Sequence, residues 1–251
     1  MKSILAGLKF AAFLLMTLGI YSLWFAAPLL GSDESRRKLR EFIFENWAKL
    51  FVLLAGARVK IVGRAPEPPF LLVSNHLSYF DVAALRSCVK CVFVAKADIA
   101  NWFAAGRMIR NMGMIYINRE SKRDIPRAGT KILAALERGE AVTIFVEGTS
   151  SNGQQILPFK SSFLEFAAAR DLPVHYASIS YRTAPGDPPA REAVCWWRPE
   201  SDFVDHLFNF LKLQPFDCTI TFGATPIHSS DRKELASKLH AAVAARFEPV
   251  N

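Results

Sequence analysis

The sequence predicts an α/β fold: a mixed, largely parallel sheet flanked by helices, with a membrane-associated helical segment at its N-terminus. Three observations carry this. Beyond residue 56, apolar or alternating runs read as strands at 57–62, 70–74, 92–95, 114–117, 142–146, 173–181, 192–197 and 217–222. Helical patterns fall between many of them, near 79–88, 97–110, 124–138, 159–170, 201–213 and 232–247. Strands alternating with helices are what a parallel sheet with crossover helices needs. Ahead of them all runs an uncharged stretch of 21 residues, Phe10 to Leu30.

A helix rises about 1.5 Å per residue, so that stretch covers roughly the 30 Å hydrocarbon core of a bilayer. Lys2 and Lys9 precede it, as in a secretory signal, but the run is longer than a signal core. The cluster Arg36-Arg37-Lys38-Leu39-Arg40 then follows, of a kind that stays cytoplasmic. A retained membrane anchor is therefore expected, with the rest of the chain on the cytoplasmic face. Gly19 and Pro28 interrupt the run, so spanning and lying in the bilayer both stay open. Leu39, Ile43, Trp47, Leu50 and Leu54 recur next at helical spacing among charged residues. Such a helix packs on a core or lies at the membrane surface with its basic start on anionic headgroups. Residues 1–56 are thus read as anchor and amphipathic helix, and 57–251 as the main domain.

In the main domain, 232–247 places Leu235, Leu239, Val243 and Phe247 on one face, and Asp231 with Glu234 can box its start. Apolar residues make up 51% of the 251 and charged ones 22%, enough for a core and against disorder. The net charge of +8 favours an anionic partner without choosing one. Cys88 and Cys91 form a C-x2-C, but no second pair or nearby histidine completes a zinc tetrad. With Cys195 and Cys218 they read as buried thiols in a reducing compartment. No metal site is expected.

The most informative segment is Phe70-Leu71-Leu72-Val73-Ser74-Asn75-His76-Leu77-Ser78-Tyr79-Phe80-Asp81. An apolar strand enters a polar turn and then a helix. His76 and Asp81, five apart, would diverge on one helix or one strand, so only a turn can join them. Asn75 and Ser78 supply turn and N-cap chemistry there. Asp81 would then fix the imidazole tautomer, leaving the other ring nitrogen to accept a proton near neutral pH. The bland alternative is a Ser78-x-x-Asp81 capping box with an incidental histidine. H-x4-D alone is a weak signal; its strand-turn-helix setting raises it.

Further segments match in order. Asn75-His76-Leu77-Ser78-Tyr79-Phe80-Asp81 resembles the N-H-x-S-x-x-D block of the glycerolipid acyltransferase family, which includes 1-acyl-glycerol-3-phosphate acyltransferases. Gly113-Met114-Ile115-Tyr116-Ile117-Asn118-Arg119 resembles its second block, Glu147-Gly148-Thr149 its E-G-T block, and Pro173-Val174-His175-Tyr176 a weaker fourth. The resemblance covers roughly 57–247 and implies a glycerol-3-phosphate acyltransferase-like fold. It implies an O-acyltransferase with His76 as general base and Asp81 orienting it. Acyl-CoA or an acidic acyl carrier protein would supply the thioester, with no cofactor beyond this co-substrate. The acceptor would be a membrane lysolipid, most simply 1-acyl-glycerol-3-phosphate.

By the same resemblance Asn75, Ser78, Lys96, Arg119, Glu147, Gly148 and Thr149 are expected around the substrates. Arg119, at a strand end, could grip phosphate or carboxylate with two prongs. Gly148 lets backbone approach a ligand, and Lys160 is a looser headgroup candidate. The family's usual proline before the glutamate and arginine after the threonine are here Val146 and Ser150. That arginine is linked with the acceptor phosphate. The stretch 147–161 also looks like relatives that acylate lyso-ornithine lipid. Leu77 stands where glutamine is frequent and Asn118 where aspartate is. A thioesterase or lipid hydrolase is a rival of another class, but no G-x-S-x-G occurs. A nucleic-acid partner is not expected, since only the charge speaks for it.

Overall fold

The computed structural model describes residues 2–101, 105–118, 124–198 and 202–251. Helix α1 (Lys2–Ser22) continues into a 3₁₀ turn (Leu23–Leu29) that contains Pro28, and α2 (Asp33–Ala55) folds back beside it. Ser32 caps α2 through Ser35 N–H, and Gly56 ends it in a left-handed conformation that a side chain would strain. The first α/β half runs β1 (Ala57–Val62), β2 (Leu71–Ser74), α3 (Phe80–Cys88), β3 (Val92–Lys96), α4 (Ala105–Asn111), β4 (Ile115–Ile117), α5 (Asp124–Glu137) and β5 (Val142–Phe145). The second runs α6 (Glu165–Ala168), β6 (Val174–Arg182), α7 (Ala190–Ala193), α8 (Phe203–Phe210), β7 (Phe216–Phe222) and α9 (Arg232–Ala244).

Seven strands form one sheet in the order β1-β7-β6-β2-β5-β3-β4. Every neighbouring pair is parallel except β6 with β7. The central strands therefore end together at one edge, where chain exits after β2, β5, β3 and β4 lie side by side. Alternation sorts the side chains into two cores. Leu72, Phe93, Ile179 and Phe216 pack on the face covered by α2, α3 and α8. Leu71, Val73, Ile144 and Val174 pack on the face covered by α5, α6 and α9. Asp231 caps α9 through Lys233 and Glu234 N–H, whereas Glu234 turns to Ser229 and Lys238 instead of closing a box.

Several expectations change. Residues 192–197 are no strand: α7 ends at Ala193, and the following loop buries Val194 and Cys195. Trp196 N–H donates to Leu77 O at 2.8 Å, so this apolar run wedges against the His76 turn and joins no ladder. Segment 97–110 divides into a 3₁₀ turn (Ala97–Asn101) and α4. Segment 159–170 becomes a 3₁₀ turn (Ser161–Leu164) and the short α6, because Lys160 N–H is held by Val146 O.

The N-terminal helices form a hairpin docked on the domain. Lys2 pairs with Asp187 at 2.7 Å, Asn111 donates to Tyr21 Oη at 2.6 Å, and Trp47 Nε1 donates to Thr17 Oγ1 at 3.2 Å. Phe44, Ala48, Phe51 and Ala55 of α2 belong to the same core as β2 and α3, so the core runs across residue 56. Each phenylalanine so buried stabilises the fold by about 1.5–3 kcal/mol. The basic cluster is partly spent inside the fold: Arg40 reaches over Gly113 to the buried Glu140, and Arg37 donates to Arg138 O. The opposite face of the hairpin exposes Leu5, Leu8, Leu15, Leu18, Phe25 and Leu29. Leu50 of the α2 stripe is exposed as well. By length and composition Lys2–Leu29 could cross a membrane.

Candidate active site

The turn after β2 brings the predicted pair together. His76 Nδ1 lies 2.8 Å from Asp81 Oδ2. The same oxygen accepts Leu77 N–H at 2.6 Å and Ser78 N–H at 2.9 Å. Asp81 sits in the first turn of α3, where backbone N–H groups point outward and favour an anion. Ser78 Oγ accepts Phe80 N–H at 3.3 Å while Asp81 reaches back to Ser78 N–H. Only half of the expected capping box forms, since Asp81 N–H goes to Ser78 O and not to its hydroxyl, and one carboxylate bonds both the turn before the helix and the imidazole. Asp81 is fully buried, whereas the His76 side chain is 21% exposed, so the ring edge away from Asp81 can meet a ligand.

The ring has a fixed plane. It stacks on Phe145, with centroids 4.1 Å apart and planes 13° from parallel. Glu147 clamps the turn from the next strand exit: Oε1 accepts His76 N–H at 3.0 Å and Oε2 accepts Leu157 N–H at 3.3 Å. Burial, opposed by these two bonds, pushes the Glu147 carboxyl up to about 8. Ser151 N–H donates to His76 O at 2.9 Å, closing the contact between the two loops.

The other expected residues divide. Gly148 has φ 75°, and a Cβ there would come within 2.8 Å of Lys160 Nζ, so the glycine makes room for a lysine over the loop. Thr149 is exposed beside it. Lys96 is exposed at the end of β3 and pairs with Asp98 at 2.6 Å. Ser150 donates to Trp196 O, which fastens the wedge loop to the E-G-T turn. Asn75 and Ser78, expected at the substrate, are fully buried. The Asn75 amide donates to Ile179 O at 2.9 Å and accepts Ile179 N–H at 2.7 Å, extending the β2–β6 ladder by one side chain. Both its hydrogen-bonding ends thereby meet backbone, and it shapes the turn. Arg119 lies outside the described residues; β4 ends two residues before it.

Two participants carried no sequence signal of their own. Phe145 and Tyr181 look like ordinary strand aromatics, yet one supports the imidazole and the other donates its hydroxyl to Asp81 Oδ1 at 2.5 Å. Only the pairing of β2 with β5 and β6 brings them to the turn. The site thus holds His76 Nδ1 against Asp81 and stacks the ring on Phe145, with the side chain 21% exposed.

Known proteins share this arrangement of sequence and fold. The Acyltransferase family model matches residues 57–180. Lyso-ornithine lipid O-acyltransferase of Rhizobium meliloti (strain 1021) is 31% identical over 212 residues, 79% of this chain and 72% of that protein. The 1-acyl-sn-glycerol-3-phosphate acyltransferase of Neisseria gonorrhoeae is 34% identical over 147 residues, 55% of this chain and 58% of that protein. The crystal structure of the 1-acyl-sn-glycerophosphate (LPA) acyltransferase PlsC from Thermotoga maritima superposes with a TM-score of 0.73 at 21% identity, covering 98% of this chain and 96% of that one. That last likeness establishes the shared fold, and the first, across most of both sequences, establishes the kinship: the chain belongs to the acyltransferase family.

Proposed function

We propose that this acyltransferase moves a fatty acyl chain from the thioester of acyl-CoA or acyl carrier protein to the free hydroxyl of a lysolipid, with His76 as general base. The 2.8 Å contact of His76 Nδ1 with Asp81 carries the reading, because it leaves Nε2 as the acceptor. Nε2 takes the hydroxyl proton while the oxygen attacks the thioester carbonyl. The tetrahedral intermediate expels the thiolate, which takes the proton back from the imidazolium. An ester and a free thiol result. His76→Ala should lower turnover by about 10²–10⁴ with the fold intact; near-normal acyl transfer by a folded variant would sink the assignment.

Between acceptors we favour lyso-ornithine lipid. The family's phosphate-linked arginine is here Ser150, and its hydroxyl is committed to Trp196 O. Relatives of that named activity also align over most of the chain, 79% and 85% in two cases. Lysophosphatidate is the second reading, favoured by the higher identity of the shorter matches. Arg119, with Lys96 and Lys160, would hold the lipid's anionic group. Arg119→Ala should then raise the acceptor KM at least about 10-fold and leave the donor KM unchanged. Equal changes in both constants would make Arg119 structural. A panel of both lysolipids with both donors, read by lipid mass spectrometry, decides the substrates.

The hairpin is proposed to sit in one leaflet of the membrane, with the catalytic domain on the cytoplasmic side. One face of α1 is occupied by contacts with the domain and the other is apolar and exposed, which supports lying in the bilayer over crossing it as a free stalk.

A further inference from the structure

We infer that Tyr181 is a positioning residue of the acyl-transfer site: its hydroxyl holds the far oxygen of Asp81, and so sets the pH range over which His76 works as a base. The inference rests on the proposed role of His76. Asp81 is completely buried, and a buried carboxylate oxygen needs a donor. Oδ2 has three donors, His76 Nδ1, Leu77 N–H and Ser78 N–H. Oδ1 is met by Tyr181 Oη at 2.5 Å. Without that hydroxyl the carboxylate is free to turn or to concentrate its charge on the imidazole.

The backbone makes the contact hard to avoid. Ile179 and Tyr181 are two apart on β6 and share a face. Ile179 grips Asn75 through two backbone bonds and Tyr181 grips Asp81, so one strand fixes the turn on both sides of His76. The tyrosine ring is packed between Phe80 and Phe216, and its hydroxyl lies within hydrogen-bonding reach of the Cys218 thiol as well as of Asp81. Burial and the neighbouring Asp81 charge hold the phenol well above its ordinary range, so it stays a donor at any working pH.

The titratable groups facing Asp81 are His76 on the same turn, Glu147 after β5, Tyr181 on β6, Cys195 after α7 and Cys218 on β7. Burial raises both thiols, and Glu147 titrates near 8. The acid limb of the rate profile is the quantity to follow. Losing the Tyr181 bond leaves more negative charge facing His76, favours the imidazolium, and moves that limb to higher pH.

The test is the pH profile of kcat with acyl-CoA and whichever of the two lysolipids is turned over. Tyr181→Phe should shift the acid limb upward by about 0.5–1 unit, lower kcat at pH 7 by about 3–10-fold, and leave both KM values within about twofold. 3-Fluorotyrosine at position 181, a stronger donor of nearly the same shape, should shift the limb downward and keeps the test open if the phenylalanine variant folds poorly. Phe216→Leu, which loosens the same packing, should lower Tm without moving the limb. An unmoved limb in the Tyr181 variants beside an inactive His76→Ala overturns this inference alone. An active His76→Ala overturns the base assignment and this inference with it.

Discussion

Asp81 and Glu147 are both buried carboxylates that bond the His76 turn, yet their surroundings differ. Asp81 lies in the first turn of α3 and collects four donors, one of them the imidazole itself. Glu147 lies on a strand exit and collects two backbone N–H groups. Two donors do not offset the desolvation of its charge, and its carboxyl rises to about 8. Asp81 holds the imidazole and the N–H groups of its own turn, whereas Glu147 ties two loops together through their backbones.

Replacing each carboxyl by its amide exposes the contrast. Asp81→Asn should cost about 10²–10⁴ in kcat, because the amide favours the wrong imidazole tautomer. Steady-state kinetics on a variant of unchanged circular dichroism measures this, and a loss under about 10-fold would break the distinction. Glu147→Gln should affect stability more than chemistry. The folded carboxyl sits above the ordinary 4.5, so its proton supports the fold below that pH, and the support is lost as pH rises through about 8. Wild type should therefore lose stability relative to Glu147→Gln between pH 5 and pH 9, by on the order of 3 kcal/mol. Denaturant melts across that range check it; a pH-independent difference would mean that Glu147 is ionised throughout.

The hairpin offers the smallest effect on the fold and a separate readout. Phe25 and Leu29, 80% and 85% exposed, touch little of the protein. Phe25→Asp with Leu29→Asp should change stability by no more than about 0.5 kcal/mol, while weakening sedimentation with anionic vesicles. Undiminished vesicle binding would place the lipid-facing surface elsewhere.

Most strands were legible in the sequence because each is a short apolar run closed by a polar turn, and 57–62 matches β1 residue for residue. The run at 192–197 misled for a physical reason: Val194 and Cys195 are apolar because they are buried, but burial in a wedge leaves the same trace as burial in a strand. The H-x4-D pair was legible because a five-residue offset needs a turn, and the turn residues were present. The sequence by itself thus determined the His76–Asp81 contact and the α/β alternation, both of which rest on local spacing. Tertiary structure alone decided that Asn75 and Ser78 face inward and that Phe145 and Tyr181 complete the site. It alone turned the apolar N-terminus into a docked hairpin. Those outcomes depend on which strands and helices become neighbours, and residues as far apart as Asp81 and Tyr181 meet only after the sheet has formed.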